Sequence, residues 1–180
     1  EKVKAGIATW KLGAPRDEDV VIGPMVEGPH FEKVKSFIAI TEQEGGKLVQ
    51  GGKIHSDLGS GWYIEPTIFD NVTADMTLFQ QEVFGPILAV TTFTSDEEAV
   101  ALANNSSYGL AASLYTESLK RAQRVSRAIR AGTVSINGFS EGDITTPFGG
   151  FKQSGFGGRD KGLEALQQDV QTKTIWYVQD

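Results

Sequence analysis

The middle of the chain alternates short apolar segments with helical segments, and this alternation most constrains the fold. Gly85–Phe93, Ala111–Thr116 and Thr133–Asn137 are predicted as strands. Two helices are predicted between them, from Asp96 to Asn104 and from Ser118 to Arg130. Strands joined in sequence by helices are typical of a parallel sheet with helical crossovers. We therefore expect an α/β protein with a mostly parallel sheet.

Local signals support the two helices. Ser95 followed three residues later by Glu98 forms a capping box, which predicts a helix start at Asp96. The second helix ends before Gly132. Its predicted inward residues are Leu119, Ala122, Val125 and Ile129. Its other faces hold five basic residues, which we expect to be solvated: Lys120, Arg121, Arg124, Arg127 and Arg130.

The remaining segments give weaker signals. Residues 1–9 are predicted as the end of a helix and residues 11–25 as a loop with glycine and proline breakers. Further predicted elements are a helix over Pro29–Glu44 ended by Gly45, a strand over Lys47–Gln50, a strand or extended segment over Tyr63–Phe69, a helix near Leu163–Gln168 and a last strand over Lys173–Val178. We expect residues 1–158 to form the main domain portion and residues 159–180 a tail of helix and strand.

Composition excludes several classes of function. A chain of 180 residues corresponds to about one domain. A net charge of −6 argues against a nucleic acid or an anionic membrane as partner, and no apolar run is long enough to span a bilayer. The absence of cysteine excludes disulfides, thiolate metal sites and a cysteine nucleophile within these residues, and two histidines make a metal site improbable. These features are typical of a cytoplasmic protein, and we expect no metal site.

The segment Gln81–Pro86 combines a carboxylate, an aromatic ring and a Gly-Pro break. Residues two apart in extended backbone point the same way, so Glu82 and Phe84 are candidates for one side of a ligand site. A carboxylate can accept hydrogen bonds from both hydroxyls of a ribose. The alternative is a glutamate at a helix end beside a core phenylalanine, and spacing alone favours this alternative.

Two later segments are candidate site loops. The glycine-dense stretch from Thr146 to Gly155 permits close backbone approach, but Phe156 stands where a phosphate loop requires lysine. Just before it, Ser140–Asp143 holds two carboxylates two residues apart, which would attract a cationic substrate group if they faced one pocket. The alternatives, a tightly packed connection and solvated loop acids, remain open at this point.

Ordered motifs over essentially all 180 residues resemble the C-terminal part of the NAD(P)-dependent aldehyde dehydrogenase superfamily. The motifs are Lys11-Leu12-Gly13, Gly23-Pro24, Glu44–Leu48, Glu65-Pro66-Thr67, Gln81–Pro86, Ala103–Asn105, Tyr108–Ala111, Ala131–Val134, Asn137, Pro147–Gly150 with Lys152, Ser154 and Gly155, and Thr172–Thr174. Gly142–Pro147 and Ser154–Lys161 look most like aminoaldehyde dehydrogenases of polyamine breakdown, which oxidise γ-aminobutyraldehyde or its γ-glutamyl derivative.

The resemblance implies NAD or NADP as cofactor and a small-molecule aldehyde as substrate. In the family, a cysteine thiolate attacks the aldehyde, a hydride passes to the nicotinamide, and water activated by a glutamate releases the acid. Glu82 matches the glutamate that holds the nicotinamide ribose, and Phe84 matches the ring beside the cofactor. Phe148 matches an aromatic of the substrate tunnel. The variable rim of that tunnel matches Ser140, Glu141, Gly142 and Asp143.

Two further roles are implied by resemblance alone. Some relatives bind potassium through backbone carbonyls that match Lys152 and Gly155. The predicted strand Lys173–Val178 matches the family's oligomerisation strand, which implies a homo-oligomer. From the pattern alone, an edge strand paired within the chain is an equal alternative.

The sequence departs from the family in what it lacks. The catalytic cysteine, the general-base glutamate and the nucleotide-binding domain normally precede the matching region, so no catalytic residue is expected among these residues. Gln81 replaces the first acid of the usual Glu-Glu pair, and Glu82 keeps the contacting one. We therefore expect the C-terminal piece of a dehydrogenase, inactive alone. The alternative is a free-standing, non-catalytic module that pairs through its last strand.

Overall fold

Helices and short strands alternate along the chain in the computed structural model, which describes residues 1–139 and 142–179. The helices are α1 (Lys2–Ile7), α2 (Gly28–Gln43), α3 (Thr77–Gln80), α4 (Asp96–Asn104) and α5 (Leu119–Ala128). The strands are β1 (Lys11–Leu12), β2 (Val20–Ile22), β3 (Lys47–Gln50), β4 (Ile54–His55), β5 (Tyr63–Ile64), β6 (Thr67–Asp70), β7 (Ile87–Ala89), β8 (Ala111–Leu114) and β9 (Thr133–Ile136). Residues 1–93 form one compact unit, and the described residues from Thr94 onward form a second. Among the described helices, none has the length and apolar character needed to cross a membrane.

The first unit is built on a three-stranded sheet in the order β3-β6-β7. Strand β6 is antiparallel to β3 and parallel to β7. The core contains Val34, Phe37 and Ile38 of α2 together with Ile64 of β5 and Phe69 of β6. Val34 and Phe69 are fully buried, and burying such side chains is worth about 1.5–3 kcal/mol each. This packing fixes α2 in the unit that also contains the segment after α3.

Local signals define both ends of α2. Pro29 lies in its first turn, where a missing N–H costs no helical hydrogen bond. At the other end Gly45 has φ +97°, a conformation that favours glycine. The N–H of Gly46 then donates to the carbonyl of Thr41 at 2.8 Å and closes the helix. The predicted helix is thus confirmed, with boundaries shifted by one residue.

The second unit contains the parallel pair β8–β9, joined in sequence by α5. Ala122 and Val125 on α5 are buried as predicted, but Leu119, the first residue of the helix, is 72% exposed. The basic face of α5 is exposed and also pairs with α4. Arg121 Nε donates to Asp96 Oδ2 at 2.8 Å, and Arg124 contacts the same carboxylate.

The capping box of α4 forms in a modified way. Ser95 Oγ accepts from the N–H of Glu98 at 3.1 Å, as predicted. The Glu98 carboxylate reaches back one residue further, to Thr94, and accepts from both its N–H and its hydroxyl at 2.7 Å. These hydrogen bonds lower the pKa of Glu98, and the hydrogen bond from the Thr94 hydroxyl contributes most. The bounds Asp96–Asn104 agree with the prediction.

Three predictions about strands need correction. The predicted loop over residues 11–25 contains β1 and β2, which form a parallel pair too short to produce a visible alternation. The predicted strand Tyr63–Phe69 is divided at Pro66, and β5 and β6 belong to different sheets. A continuous sheet through β7, β8 and β9 is not formed in the described chain, since β7 pairs with β6 whereas β8 and β9 pair with each other.

The tail differs most from prediction. Leu163–Gln168 is helical, as expected, but as a 3₁₀-helix. Residues 173–178 have no regular secondary structure, and the apolar side chains of Ile175, Trp176, Tyr177 and Val178 are exposed. A strand needs a partner for its backbone N–H and C=O groups, and no described residue provides one. The division into residues 1–158 and 159–180 stays a prediction.

Candidate functional site

The segment after α3 presents a carboxylate and an aromatic ring to solvent. Glu82 is exposed, and its carboxylate makes no hydrogen bond or ion pair with a described residue. Phe84 is 78% exposed, while Val83 between them is buried. The alternative of a core phenylalanine is therefore wrong. The backbone is not regularly extended, because Phe84 has φ +58°, which non-glycine residues rarely adopt.

Two side chains of α2 donate hydrogen bonds to the backbone of this segment. His30 Nε2 donates to the carbonyl of Phe84 at 2.7 Å, and the two rings meet edge to face with centroids 6.4 Å apart. Because a carbonyl only accepts, Nε2 carries a proton. Lys33 Nζ donates to the carbonyl of Glu82 at 3.1 Å. Sequence reasoning missed both residues, although their spacing of three places them on one helix face.

Gly85 allows the segment to approach α2 closely. A Cβ atom at this position would lie 2.8 Å from a methyl carbon of Val34, which is fully buried. Any larger residue would therefore push the segment away from the helix. The result is a fixed backbone that projects Glu82 and Phe84 outward. Two free carboxylate oxygens beside an exposed ring suit a ligand with vicinal hydroxyls and a flat group, so the residues fit a nicotinamide riboside moiety.

The second unit holds a separate cavity of about 380 Å³ over β8 and β9. Its lining residues are Ala111, Ala112, Ser113, Ser135, Phe139, Gly142 and Phe148. The structure thus brings together the predicted site residues Gly142 and Phe148. Ser140 and Glu141 lie outside the described residues. The signal that sequence reasoning missed is Phe139, an aromatic residue that directly precedes the predicted rim.

Asp143 is exposed and organises its own turn. Its Oδ1 accepts from the hydroxyl of Thr145 at 2.6 Å and from the N–H of the same residue at 2.8 Å. These hydrogen bonds favour the charged form and lower the pKa of Asp143, with the hydroxyl contributing most. The carboxylate therefore keeps its negative charge well below neutral pH. It does not line the cavity, so a role in the rim stays a prediction.

Backbone contacts fix the glycine-rich connection that contains Phe148. Phe148 exchanges two hydrogen bonds of 2.7 Å with Asp160, and Lys161 Nζ lies 5.3 Å from the centre of its ring. Gly132 packs directly on Gly149, since a Cβ on Gly132 would lie 1.6 Å from the Gly149 carbonyl oxygen. The packed connection is thus confirmed, and it also supplies one wall of the cavity.

The predicted potassium ligands lie in one turn of this connection. The Lys152 carbonyl accepts from the N–H of Gly155 at 3.4 Å. Two carbonyls of one turn do not complete a coordination shell, so potassium binding stays a prediction. Across the described part of the chain, no group of three or more histidine or carboxylate side chains is placed to hold a metal ion.

A further titratable cluster lies in the first unit, beside a cavity of about 370 Å³. His55 Nε2 lies 2.8 Å from Glu65 Oε1, and its Nδ1 lies 3.1 Å from Asp57 Oδ1. Hydrogen bonding to Glu65, and less so to Asp57, raises the pKa of His55. The cluster braces the β4–β5 pair, because His55 is in β4 and Glu65 directly follows β5.

Comparisons with known proteins agree with this geometry. The model of the aldehyde dehydrogenase family matches residues 1–175. Aminoacetaldehyde dehydrogenase of Pseudomonas aeruginosa is 47% identical over 176 residues, which is 98% of this chain and 35% of that protein. The NADP/NAD-dependent aldehyde dehydrogenase PuuC of Escherichia coli is 44% identical and matches 97% of this chain and 34% of its own length. The chain therefore spans about a third of the length of these relatives.

Solved structures give the same result. Indole-3-acetaldehyde dehydrogenase AldA of P. syringae, in complex with NAD+ and IAA, superimposes with a TM-score of 0.90 at 45% identity, covering 94% of this chain and 34% of that one. An aldehyde dehydrogenase of Mycobacterium tuberculosis complexed with NAD+ gives a TM-score of 0.89 at 38% identity, covering 94% and 35%. Motif order, fold and sequence identity agree, and this chain belongs to the aldehyde dehydrogenase family.

Proposed function

We propose that this chain is the C-terminal part of an NAD(P)-dependent aldehyde dehydrogenase, which oxidises an aldehyde to its carboxylic acid. The observation that carries the proposal is the outward pair of Glu82 and Phe84 on a segment held by α2. The nicotinamide of the cofactor, when bound, accepts a hydride. Among the relatives, PuuC is described as NADP/NAD-dependent, and AldA was solved with NAD+.

The residues of this chain bind and orient the cofactor rather than react. The Glu82 carboxylate accepts hydrogen bonds from the ribose hydroxyls, and both its oxygens are available because no described residue pairs with it. The exposed ring of Phe84 packs against the cofactor beside the ribose. His30 and Lys33 donate hydrogen bonds to the backbone carbonyls of Phe84 and Glu82 and so hold the segment in position.

An amine-bearing aldehyde is the proposed substrate class. Two observations support it: a relative named aminoacetaldehyde dehydrogenase, and Asp143, which is charged at neutral pH. Glu141 adds a second acid to the rim by sequence. Phe148 supplies an aromatic wall for the carbon chain. A role in polyamine breakdown, with γ-aminobutyraldehyde or its γ-glutamyl derivative as substrate, follows from this proposal.

The exposed tail is part of the proposal as well. Residues 173–178 offer an unpaired apolar segment, and pairing with a second copy of the chain would cover it. The protein is thus proposed to be a homo-oligomer. A cytoplasmic location also remains a prediction. The comparisons give no support to the alternative of a free-standing interaction module.

The test uses the complete protein encoded by the source gene. We expect NAD(P)H to form when an aldehyde is added, and we expect the 180-residue chain alone to be inactive. Glu141→Gln and Asp143→Asn should raise KM for an amine-bearing aldehyde several-fold, because an exposed charge pair is worth about 0.2–1 kcal/mol. KM for acetaldehyde serves as the internal control. An equal change for both aldehydes would argue against recognition by charge, and no aldehyde oxidation by the complete protein would refute the proposal.

A further inference from the structure

Lys152 is the one charged side chain within the glycine-rich connection from Pro147 to Gly155. Its ammonium Nζ donates to the carbonyls of Asn104 and Ser106, both at 2.9 Å. Asn104 is the last residue of α4, where helix carbonyls have no partner within the helix and carry partial negative charge. The side chain is half-buried, and its backbone has φ +54°. Lys152 is therefore held in one place instead of extending into solvent.

The acceptor end of this contact is itself fixed. Asn104 Nδ2 donates to the carbonyl of Ala128 at 2.9 Å, and its Oδ1 accepts from the N–H of Arg130 at 2.7 Å. Ala128 is the last residue of α5. A single asparagine thus joins the C-terminal ends of α4 and α5. The ammonium of Lys152 is anchored on this junction.

Backbone contacts extend the anchor along the connection toward Phe148. The N–H of Phe151 donates to the Gly109 carbonyl at 2.8 Å, and the N–H of Gln153 donates to the Ser107 carbonyl at 3.0 Å. Four residues before Lys152, the ring of Phe148 lines the cavity over β8 and β9. The connection is therefore held on one side by Lys152 and on the other by the hydrogen bonds of Phe148 with Asp160.

We propose that Lys152 is a positioning residue that sets the place of the Phe148 ring in this cavity and thereby the fit of the aldehyde. The inference rests on the proposed function, in which Phe148 forms a wall of the substrate path. Lys152 itself lines no part of the cavity, so it acts through Phe148. Loss of the ammonium would leave two carbonyls without their donor and would loosen the connection on the side of Lys152, while its backbone hydrogen bonds remain.

The first test compares Lys152→Met with Lys120→Met in the complete protein. Lys120 lies on the exposed face of α5 and is the matched control. For Lys152→Met we expect KM for an extended amine-bearing aldehyde to rise about tenfold, with kcat and the KM for NAD(P)+ changed by less than about twofold. The control variant should match the wild type. Lys152→Arg, which keeps the charge and the donors, should restore most of the lost affinity.

A double substitution separates positioning from general destabilisation. If Lys152 acts through Phe148, then Lys152→Met combined with Phe148→Ala should raise KM no further than Phe148→Ala alone. Effects that multiply in the double variant, or an unchanged KM in Lys152→Met, would overturn the inference. So would failure of Lys152→Arg to fold while Lys152→Met folds and binds normally.

A readout without catalysis keeps this test distinct from that of the proposed function. 4-Fluorophenylalanine incorporated at position 148 gives one fluorine resonance in the complete protein. We expect the resonance to shift or broaden in Lys152→Met and to stay unchanged in Lys120→Met. If the wild type oxidises no aldehyde but the resonance still shifts in Lys152→Met, the proposed function is refuted and the positioning role is kept. An unchanged resonance would refute the positioning role, whatever the activity.

Discussion

Replacing Glu82 should separate cofactor binding from folding. The Glu82 carboxylate has no partner among the described residues, so Glu82→Ala removes no contact that stabilises the fold. We expect the free energy of unfolding to change by no more than about 0.5 kcal/mol, as for other surface substitutions. Cofactor binding should change far more, because the carboxylate is proposed to accept two hydrogen bonds from one ribose.

The size of the binding effect follows from the exposure of the site. A hydrogen bond to a charged group is worth about 1.5–3 kcal/mol when it is shielded from water. Because Glu82 is exposed, water replaces part of what is lost, and we take the lower figure of about 1.5 kcal/mol for the pair. This corresponds to a roughly tenfold increase in Kd for NAD(P)+. Glu82→Gln retains one acceptor oxygen and should lie between the wild type and Glu82→Ala.

Isothermal titration calorimetry on the complete protein measures this Kd directly. Gln81→Ala is the matched control, because Gln81 is the exposed neighbour and has no proposed contact with the cofactor. A wild-type Kd in Glu82→Ala, with Gln81→Ala equally unaffected, would refute the assignment of Glu82 to the ribose. A large drop in melting temperature would refute the premise that its carboxylate plays no part in folding.

Two further predictions concern His55 and Gly132. NMR titration should show His55 with a pKa above the ordinary value of about 6.5, and Glu65→Gln should lower it. Because the pKa of His55 is raised in the folded state, the stabilisation from the His55–Glu65 pair is complete below the unfolded pKa and is lost as pH rises through the folded pKa. A His55 pKa that does not change in Glu65→Gln would contradict the role of Glu65. Gly132→Ala should destabilise the fold by about 3 kcal/mol, the upper end of the usual cost of overpacking, since its Cβ would overlap the Gly149 carbonyl oxygen. For Gly138→Ala, the nearest described atom beyond the chain neighbours, the Ile136 carbonyl oxygen, lies 4.0 Å from the added Cβ, so this variant should be nearly neutral in the same urea titration. Equal effects of the two substitutions would rule out the steric explanation.

Elements with strong local signals were predicted well. The start of α4 agrees with prediction because Ser95 caps the helix through the N–H of Glu98, a contact that the residue types at these two positions indicate. By contrast, β1 and β2 have two and three residues, too few for any periodicity to show. The last predicted strand is not formed in the described chain for another reason. Its pattern is correct for a strand, but pairing depends on a partner, which the pattern of one segment does not reveal.

The candidate site was predicted in part, for a similar physical reason. Residue types made Glu82 and Phe84 candidates, and the family resemblance, rather than their spacing, matched them to a cofactor contact. The structure shows both side chains exposed, and their cofactor role stays a prediction. His30 and Lys33 were missed because each acts on a backbone carbonyl about 50 residues away in sequence. Every residue has a backbone carbonyl, so residue identity does not indicate which carbonyl accepts a hydrogen bond. Only the packing of α2 reveals these contacts. The same holds for Lys152, whose acceptors are backbone atoms of Asn104 and Ser106.

The hydrogen bonds that join the glycine-rich connection to residues 107 and 109 make two positions of this loop tolerant of substitution. Both donors, the N–H groups of Phe151 and Gln153, belong to the backbone, and both side chains are exposed. Side chains at these two positions can therefore be exchanged without loss of the contacts that hold the loop in place. Directed variation confined to residues 151 and 153 should therefore change the surface of the loop while its backbone stays in place.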